Sequence, residues 1–280
     1  MQTLEVYQSL WAMELRQPGL TERTMDENLA MIAAAGYSGP CLDLGMDDVP
    51  MVRAARPLLQ RHNLKCLFNG FPRSDDELRF MLDMSRDYGA PYLSVIGQVM
   101  PLDVAGMVDV ARRWMEIADK SGQTLLFETH RHGLLNDLYP TLLLLDSVPD
   151  IKLCADLSHF VVDREFALPL GEDQQAMMTR ILDQSWSVQG RVANNEQVQI
   201  QIGFPQHQKW LAQFTDWWRE GITSWRRRAA PDATLAFLCE LGPPPYAITG
   251  ADGRELSDRW EEALAIRDIV TGLWDATAPA

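Results

Sequence analysis

Short apolar runs recur along the chain, separated by longer amphipathic stretches. The runs lie near 4–11, 39–44, 64–69, 91–96, 123–128, 151–156, 185–189 and 234–240. Continuous apolar character over so few residues suits strands of a parallel sheet buried on both faces. The stretches near 22–35, 47–62, 74–88, 103–120, 136–147, 172–183, 206–225 and 254–274 repeat apolar side chains at helical spacing. Gly36, Gly89 and Gly122 stand where the first, third and fourth helices should stop. Strand and helix thus alternate eight times, which predicts an α/β chain with one domain over 1–280, folded as a single (β/α)₈ barrel. An open doubly wound sheet fits less well, because no G-x-G-x-x-G opens a helix after a strand.

In a closed parallel barrel the residues at the C-terminal ends of the strands face one mouth, so the polar residues ending each run form a functional list. Strand one supplies Trp11 and Glu14, strand two Asp43, strand three Asn69 and strand four Gln98. The last four strands supply Glu128, Asp156, Gln189 and Glu240, with His130, His159 and Arg191 just beyond. Three carboxylates meeting at one rim suit a divalent cation; without one, they would raise one another's pKa values. Plainer roles compete residue by residue. Asp156 suits a helix cap, Asn69 suits a turn before Gly70 and Pro72, and the two glutamates suit an ordinary rim. Of the aromatic residues near strand ends, Trp11, Phe68, Phe71, Phe160 and Tyr246 suit either sugar stacking or closure of the mouth by mutual packing.

Bulk properties narrow the partners. A formal charge of −14 repels phosphate backbones and anionic membranes, so neither nucleic acid nor membrane is expected. The start lacks a signal-like basic and apolar pair, and no stretch suits a membrane span; a cytoplasmic protein is the expectation. Cys41, Cys66, Cys154 and Cys239 lack paired spacing and read as buried apolar residues. Arg226, Arg227 and Arg228 follow an amphipathic segment and read as the basic end of a helix, while Trp210, Trp217, Trp218 and Trp225 read as its packing face. His62 reads as a helix-end residue, and His132 and His207 lie in loops without a motif.

Phe-Glu-Thr-His at 127–130, Cys-Ala-Asp-Leu-Ser-His at 154–159, Gly-Arg-Val at 190–192 and Cys-Glu-Leu-Gly-Pro-Pro-Pro-Tyr-Ala at 239–247 resemble the signature stretches of the xylose-isomerase-like TIM barrels. Within these, the group called sugar phosphate isomerases/epimerases is the nearest match, and the likeness runs from Gln8 to Glu240. The resemblance implies one divalent metal ion held by Glu128, Asp156, the residue at 189 and Glu240. It also implies a carbohydrate substrate touched by His159 and Arg191, to which the strand-end positions add His130, Trp11 and Asn69, and self-association, since similar barrels often form dimers or tetramers. The implied reaction is isomerisation or epimerisation beside a carbonyl through an enediolate, with Glu128 and Glu240 moving the proton.

Position 189 departs from that pattern, holding Gln where the family has His. An amide oxygen is a good ligand for Mg²⁺ or Ca²⁺ and a poor one for Zn²⁺, which leaves Mg, Mn, Co and Zn all open as the metal. Three readings follow: a site shifted to harder metals, a site completed by water, His130, His132 or His207, and a degraded site. Two further functions stay open: a metal-dependent keto-polyol dehydratase, if the neighbouring hydroxyl leaves, and a non-catalytic sugar-binding barrel. A three-zinc DNA-repair endonuclease of the same superfamily is disfavoured by five histidines and the acidic charge. A phosphorylated substrate is disfavoured by Gly242-Pro243-Pro244-Pro245, which offers few backbone N–H groups; an uncharged sugar or a sugar acid near Arg131 or Arg191 is expected instead.

Overall fold

The computed structural model describes residues 1–278. Eight parallel strands close into a barrel in chain order: β1 (Thr3–Ser9), β2 (Gly39–Leu44), β3 (Leu67–Gly70), β4 (Leu93–Val95), β5 (Leu125–Glu128), β6 (Leu153–Ala155), β7 (Ser185–Gly190) and β8 (Thr234–Cys239), which pairs back onto β1. The helices around it are α1 (Met25–Ala34), α2 (Val49–Arg61), α3 (Asp75–Asp87), α4 (Val104–Ser121), α5 (Leu138–Ser147), α6 (Leu157–Asp163), α7 (Glu172–Asp183), α8 (Gln208–Arg228) and α9 (Arg259–Ala276). The expected barrel is therefore the observed one. Helix α6 is additional, a short turn started by Asp156 directly after β6. Among the described residues no helix is long and apolar enough to cross a membrane.

Two apolar layers follow from the alternation of side chains along each strand. Leu42, Phe68, Leu93, Leu125, Phe127, Leu153, Val188, Leu235 and Phe237 point outward and pack with the helices. Tyr7, Cys41, Leu67, Tyr92, Leu126, Cys154, Ala236 and Leu238 point inward and fill the barrel. All four cysteines are buried and free. The tryptophan stripe of α8 is packing, as expected: Trp217 and Trp218 are fully buried, and Trp218 meets Phe237 edge-on with ring centres 5.5 Å apart. The arginine run ends α8 and ties it down. Arg226 donates to Trp274 O at 2.8 Å and Arg228 to Ser185 O at 2.6 Å, each lying over a tryptophan ring.

Candidate metal centre

One step beyond the inward apolar ring, the same alternation turns Ser9, Asp43, Asn69, Ser94, Glu128, Asp156, Gln189 and Glu240 toward the mouth. Each stands two residues after an inward apolar or small side chain, so the strand period alone places it. Asn69 lies within β3, paired in register with Asp43 and Ser94, and is not the turn residue considered from the sequence. Ser9 and Ser94 lie inside the runs over 4–11 and 91–96 and do not end them, so the signal that marks them is the period of two from Tyr7 and Tyr92. Glu14 is half-exposed, and its carboxylate pairs with Arg16. Phe68 and Phe160 are fully buried in the outer core, so neither is available to a sugar ring. Gln98 uses its amide on the backbone oxygen of His132 at 3.1 Å.

Glu128, Asp156 and Glu240 do converge. One oxygen from each lies within 4.8 Å of the others, and all three residues are buried. Donor atoms around one divalent ion, each about 2.0–2.6 Å from it, stand at such separations. The free valences agree. Asp156 divides its oxygens: Oδ1 caps α6 by accepting from Ser158 N at 3.0 Å, while Oδ2 is buried without a hydrogen-bond partner. Capping and clustering are therefore both true of Asp156. Glu240 Oε2 and Gln189 Oε1 are likewise buried and unpartnered, and Gln189 Nε2 donates to Glu128 Oε2 at 2.7 Å. Buried acceptors without donors are costly, and a cation satisfies them together.

Charge points the same way. Arg191, 2% exposed, reaches Glu240 Oε1 at 3.4 Å and Asp156 Oδ2 at 3.7 Å and donates from Nε to the Glu240 backbone oxygen at 3.0 Å. One guanidinium against three carboxylates leaves two negative charges uncompensated. Burial, then the charges of Glu240 and Asp156, push the Glu128 carboxyl well above its usual range, despite Arg191 and the Gln189 hydrogen bond. Burial pushes Glu240 up to about 7, with Arg191 opposing the shift. Burial also raises Asp43, with Glu240 adding to it. The donor set and the charge deficit both fit a divalent cation.

Around this centre the rings are neutral. His130 and His159 lie with ring centres 4.0 Å apart; His159 is fully buried with both nitrogens unpartnered, its Nε2 3.4 Å from Asp156 Oδ2. Burial, then the neighbouring His159, lowers His130 to about 2, and burial lowers His159 as well. No histidine joins the carboxylate cluster among the described residues. His132 is exposed, His207 Nδ1 meets Gln201 O at 2.8 Å, and His62 Nε2 meets Asp26 at 2.7 Å at the end of α2. Of the histidines considered for completing the ligand set, His130, His132 and His207, none stands in the carboxylate cluster among the described residues.

Two residues without any motif hold the mouth together. Gln199 grips Gly242, with its Oε1 accepting from Gly242 N at 2.7 Å and its Nε2 donating to Gly242 O at 3.0 Å. Gly242 has no room for a side chain, since a Cβ there would stand 2.4 Å from the Trp11 ring. Arg259, at the start of α9, donates to the backbone oxygens of Ala12, Glu14 and Leu241, pinning the loops after β1 and β8. Over the centre, Tyr246 meets Trp11 edge-on at 5.3 Å and lies under Arg191 at 4.9 Å and Arg131 at 5.5 Å. A cavity of about 440 Å³ is lined by Asp48, Phe71, Arg73, Gln98 and His130 among others.

The chain matches no protein-family model and no curated protein sequence. Solved structures do match over nearly its whole length. A D-allulose 3-epimerase from Methylomonas sp. is 15% identical, with 97% of this chain and 98% of that one covered and a TM-score of 0.61. A xylose isomerase-like TIM barrel protein from Mycobacterium smegmatis, in complex with magnesium, is 12% identical, with 98% of each chain covered and a TM-score of 0.58. A sugar phosphate isomerase/epimerase from Parabacteroides distasonis is 9% identical, with 99% and 96% covered and a TM-score of 0.60. What these structures share with the chain is the fold, a closed (β/α)₈ barrel. In this barrel the acidic cluster lies at the C-terminal ends of β5, β6 and β8, the end of a (β/α)₈ barrel that carries active sites.

Proposed function

We propose that the protein is a divalent-metal-dependent sugar isomerase or epimerase acting beside a carbonyl. The observation that carries this reading is the convergence of Glu128, Asp156 and Glu240 with unpartnered oxygens in a buried space short of positive charge. The barrels of similar fold whose names state an activity on sugars support it. Glu128, Asp156, Gln189 and Glu240 would hold the ion, which when bound supplies Lewis-acid polarisation of a carbonyl and the adjacent hydroxyl. Glu128 and Glu240 stand on strands separated by β6 and β7, so they approach a bound substrate from different directions. One takes the proton from the carbon beside the carbonyl; the other returns a proton to the opposite face. His159, buried, and His130, half-buried, donate or accept hydrogen bonds with substrate hydroxyls, and Arg191 holds the carboxylates in place. Trp11 and Asn69 complete the substrate contacts. Gly242 has both backbone groups engaged by Gln199 and is followed by three prolines, so the β8 loop offers little to a phosphate. That favours a substrate without one.

Metal analysis of the purified protein, followed by solvent-deuterium exchange into a panel of keto-sugars, tests the reading. Bound divalent metal together with metal-dependent exchange at the carbon beside the carbonyl is the expected result. Absence of exchange across the panel in metal-loaded protein would overturn it.

A further inference from the structure

Gln189 stands at the one position where the chain departs from the ligand set its motifs resemble, and its amide is already half committed. Nε2 donates to Glu128 Oε2 at 2.7 Å, whereas Oε1 is buried with no partner on a side chain that is 1% exposed. The amide thus stands with its nitrogen on Glu128 and its carbonyl oxygen as the atom left to bond. His159 Nε2 lies 3.4 Å from Asp156 Oδ2, yet among the described residues neither a histidine nor a cysteine joins the group in which Glu128, Asp156 and Glu240 offer atoms within 4.8 Å of one another.

Building on the reading that these carboxylates hold a divalent ion, we infer that Gln189 makes the centre an all-oxygen one, with its preference moved toward hard cations of the Mg²⁺ class and away from Zn²⁺. Hard cations take carboxylate and carbonyl oxygens, while Zn²⁺ gains most from imidazole or thiolate. A neutral amide adds no charge to the three carboxylates and the one guanidinium already in contact there. The hydrogen bond to Glu128 gives Gln189 a second task, since it orients a ligand carboxylate as it presents its own oxygen.

Competition titration of metal-free protein with Mg²⁺ and Zn²⁺, comparing wild type with Gln189→His, reads the preference directly. The substitution should move the Zn²⁺ to Mg²⁺ affinity ratio toward Zn²⁺ by roughly tenfold or more. Pulsed electron paramagnetic resonance of the Mn²⁺-loaded protein should show no coupling to an imidazole nitrogen in wild type and a clear coupling in Gln189→His. Should that variant fold poorly, Gln189→Ala carries the question, with an expected loss of about tenfold in Mg²⁺ affinity. Imidazole coupling in the wild type, or an affinity ratio unmoved by Gln189→His, overturns the inference while leaving a metal centre in place. Failure of wild type to bind any divalent ion, or binding undiminished by Asp156→Asn, overturns the centre itself and the inference with it.

Discussion

Divalent-ion affinity should rise steeply with pH between 5 and 7, because the ion must displace protons that burial keeps on the carboxylates. Glu240 is pushed up to about 7 by burial, and Glu128 is raised well above its ordinary value by burial and by Glu240. Below pH 7 at least one proton leaves for each ion bound, so affinity should improve about tenfold per pH unit. Over two units that is about 100-fold, or about 2.7 kcal/mol. The same shift governs the metal-free fold in the opposite sense. A carboxyl whose folded pKa is raised from 4.5 to about 7 contributes stability fully below its unfolded value, and that contribution fades as pH rises through about 7. Metal should therefore stabilise the protein little at pH 5 and strongly at pH 8. His130 and His159, held neutral by burial, gain stability as pH rises through the ordinary histidine range. That is why the metal-dependent difference, and not the total stability, is the quantity to follow. Calorimetric titration with Mg²⁺ in buffers of different ionisation enthalpy counts the protons released, and thermal denaturation with and without metal reads the stability difference. A pH-independent affinity with no proton release would refute the reasoning, since the carboxylates would then be already ionised or uninvolved.

Glu128→Gln and Glu240→Gln should each lower proton exchange on an active keto-sugar by about 10²–10⁴-fold, measured by deuterium incorporation, with the circular-dichroism spectrum retained. Gln199→Ala removes both buried hydrogen bonds to Gly242 and strands its N–H and C=O; a loss of about 2–3 kcal/mol in denaturant unfolding is expected. Trp218→Ala empties a fully buried site against Phe214 and Phe237, for an expected cost of about 3–5 kcal/mol in the same assay.

Particular residues show where reading the chain succeeded and where it stopped. Helix α7 spans Glu172–Asp183, as the apolar spacing over 172–183 predicts. Strand β1 ends at Ser9, earlier than the run over 4–11 suggests, because Trp11–Met13 turns into a 3-10 helix. Helix α9 starts at Arg259, later than the segment from 254 suggests, because Asp258 caps it and Glu255 bridges to Thr249. Local pattern marks an element's middle, whereas its ends depend on caps and partners supplied from elsewhere. Asp156 shows the same division within one side chain: the capping oxygen is a local matter, but the free oxygen acquires meaning only beside Glu240.

What the sequence determined by itself was the eightfold alternation and the polar residue that ends each inward row, since both depend on periods of a few residues set by backbone geometry. Closure of β8 onto β1 then brought acids more than a hundred residues apart within 4.8 Å of one another. Tertiary structure alone decided that Gln189 binds Glu128 and keeps its oxygen free, that no histidine among the described residues joins the cluster, and that Gln199 and Arg259 clamp the loops above it. Each of these is a contact between distant segments, and a hydrogen bond across such a distance leaves no periodic trace in the chain that makes it.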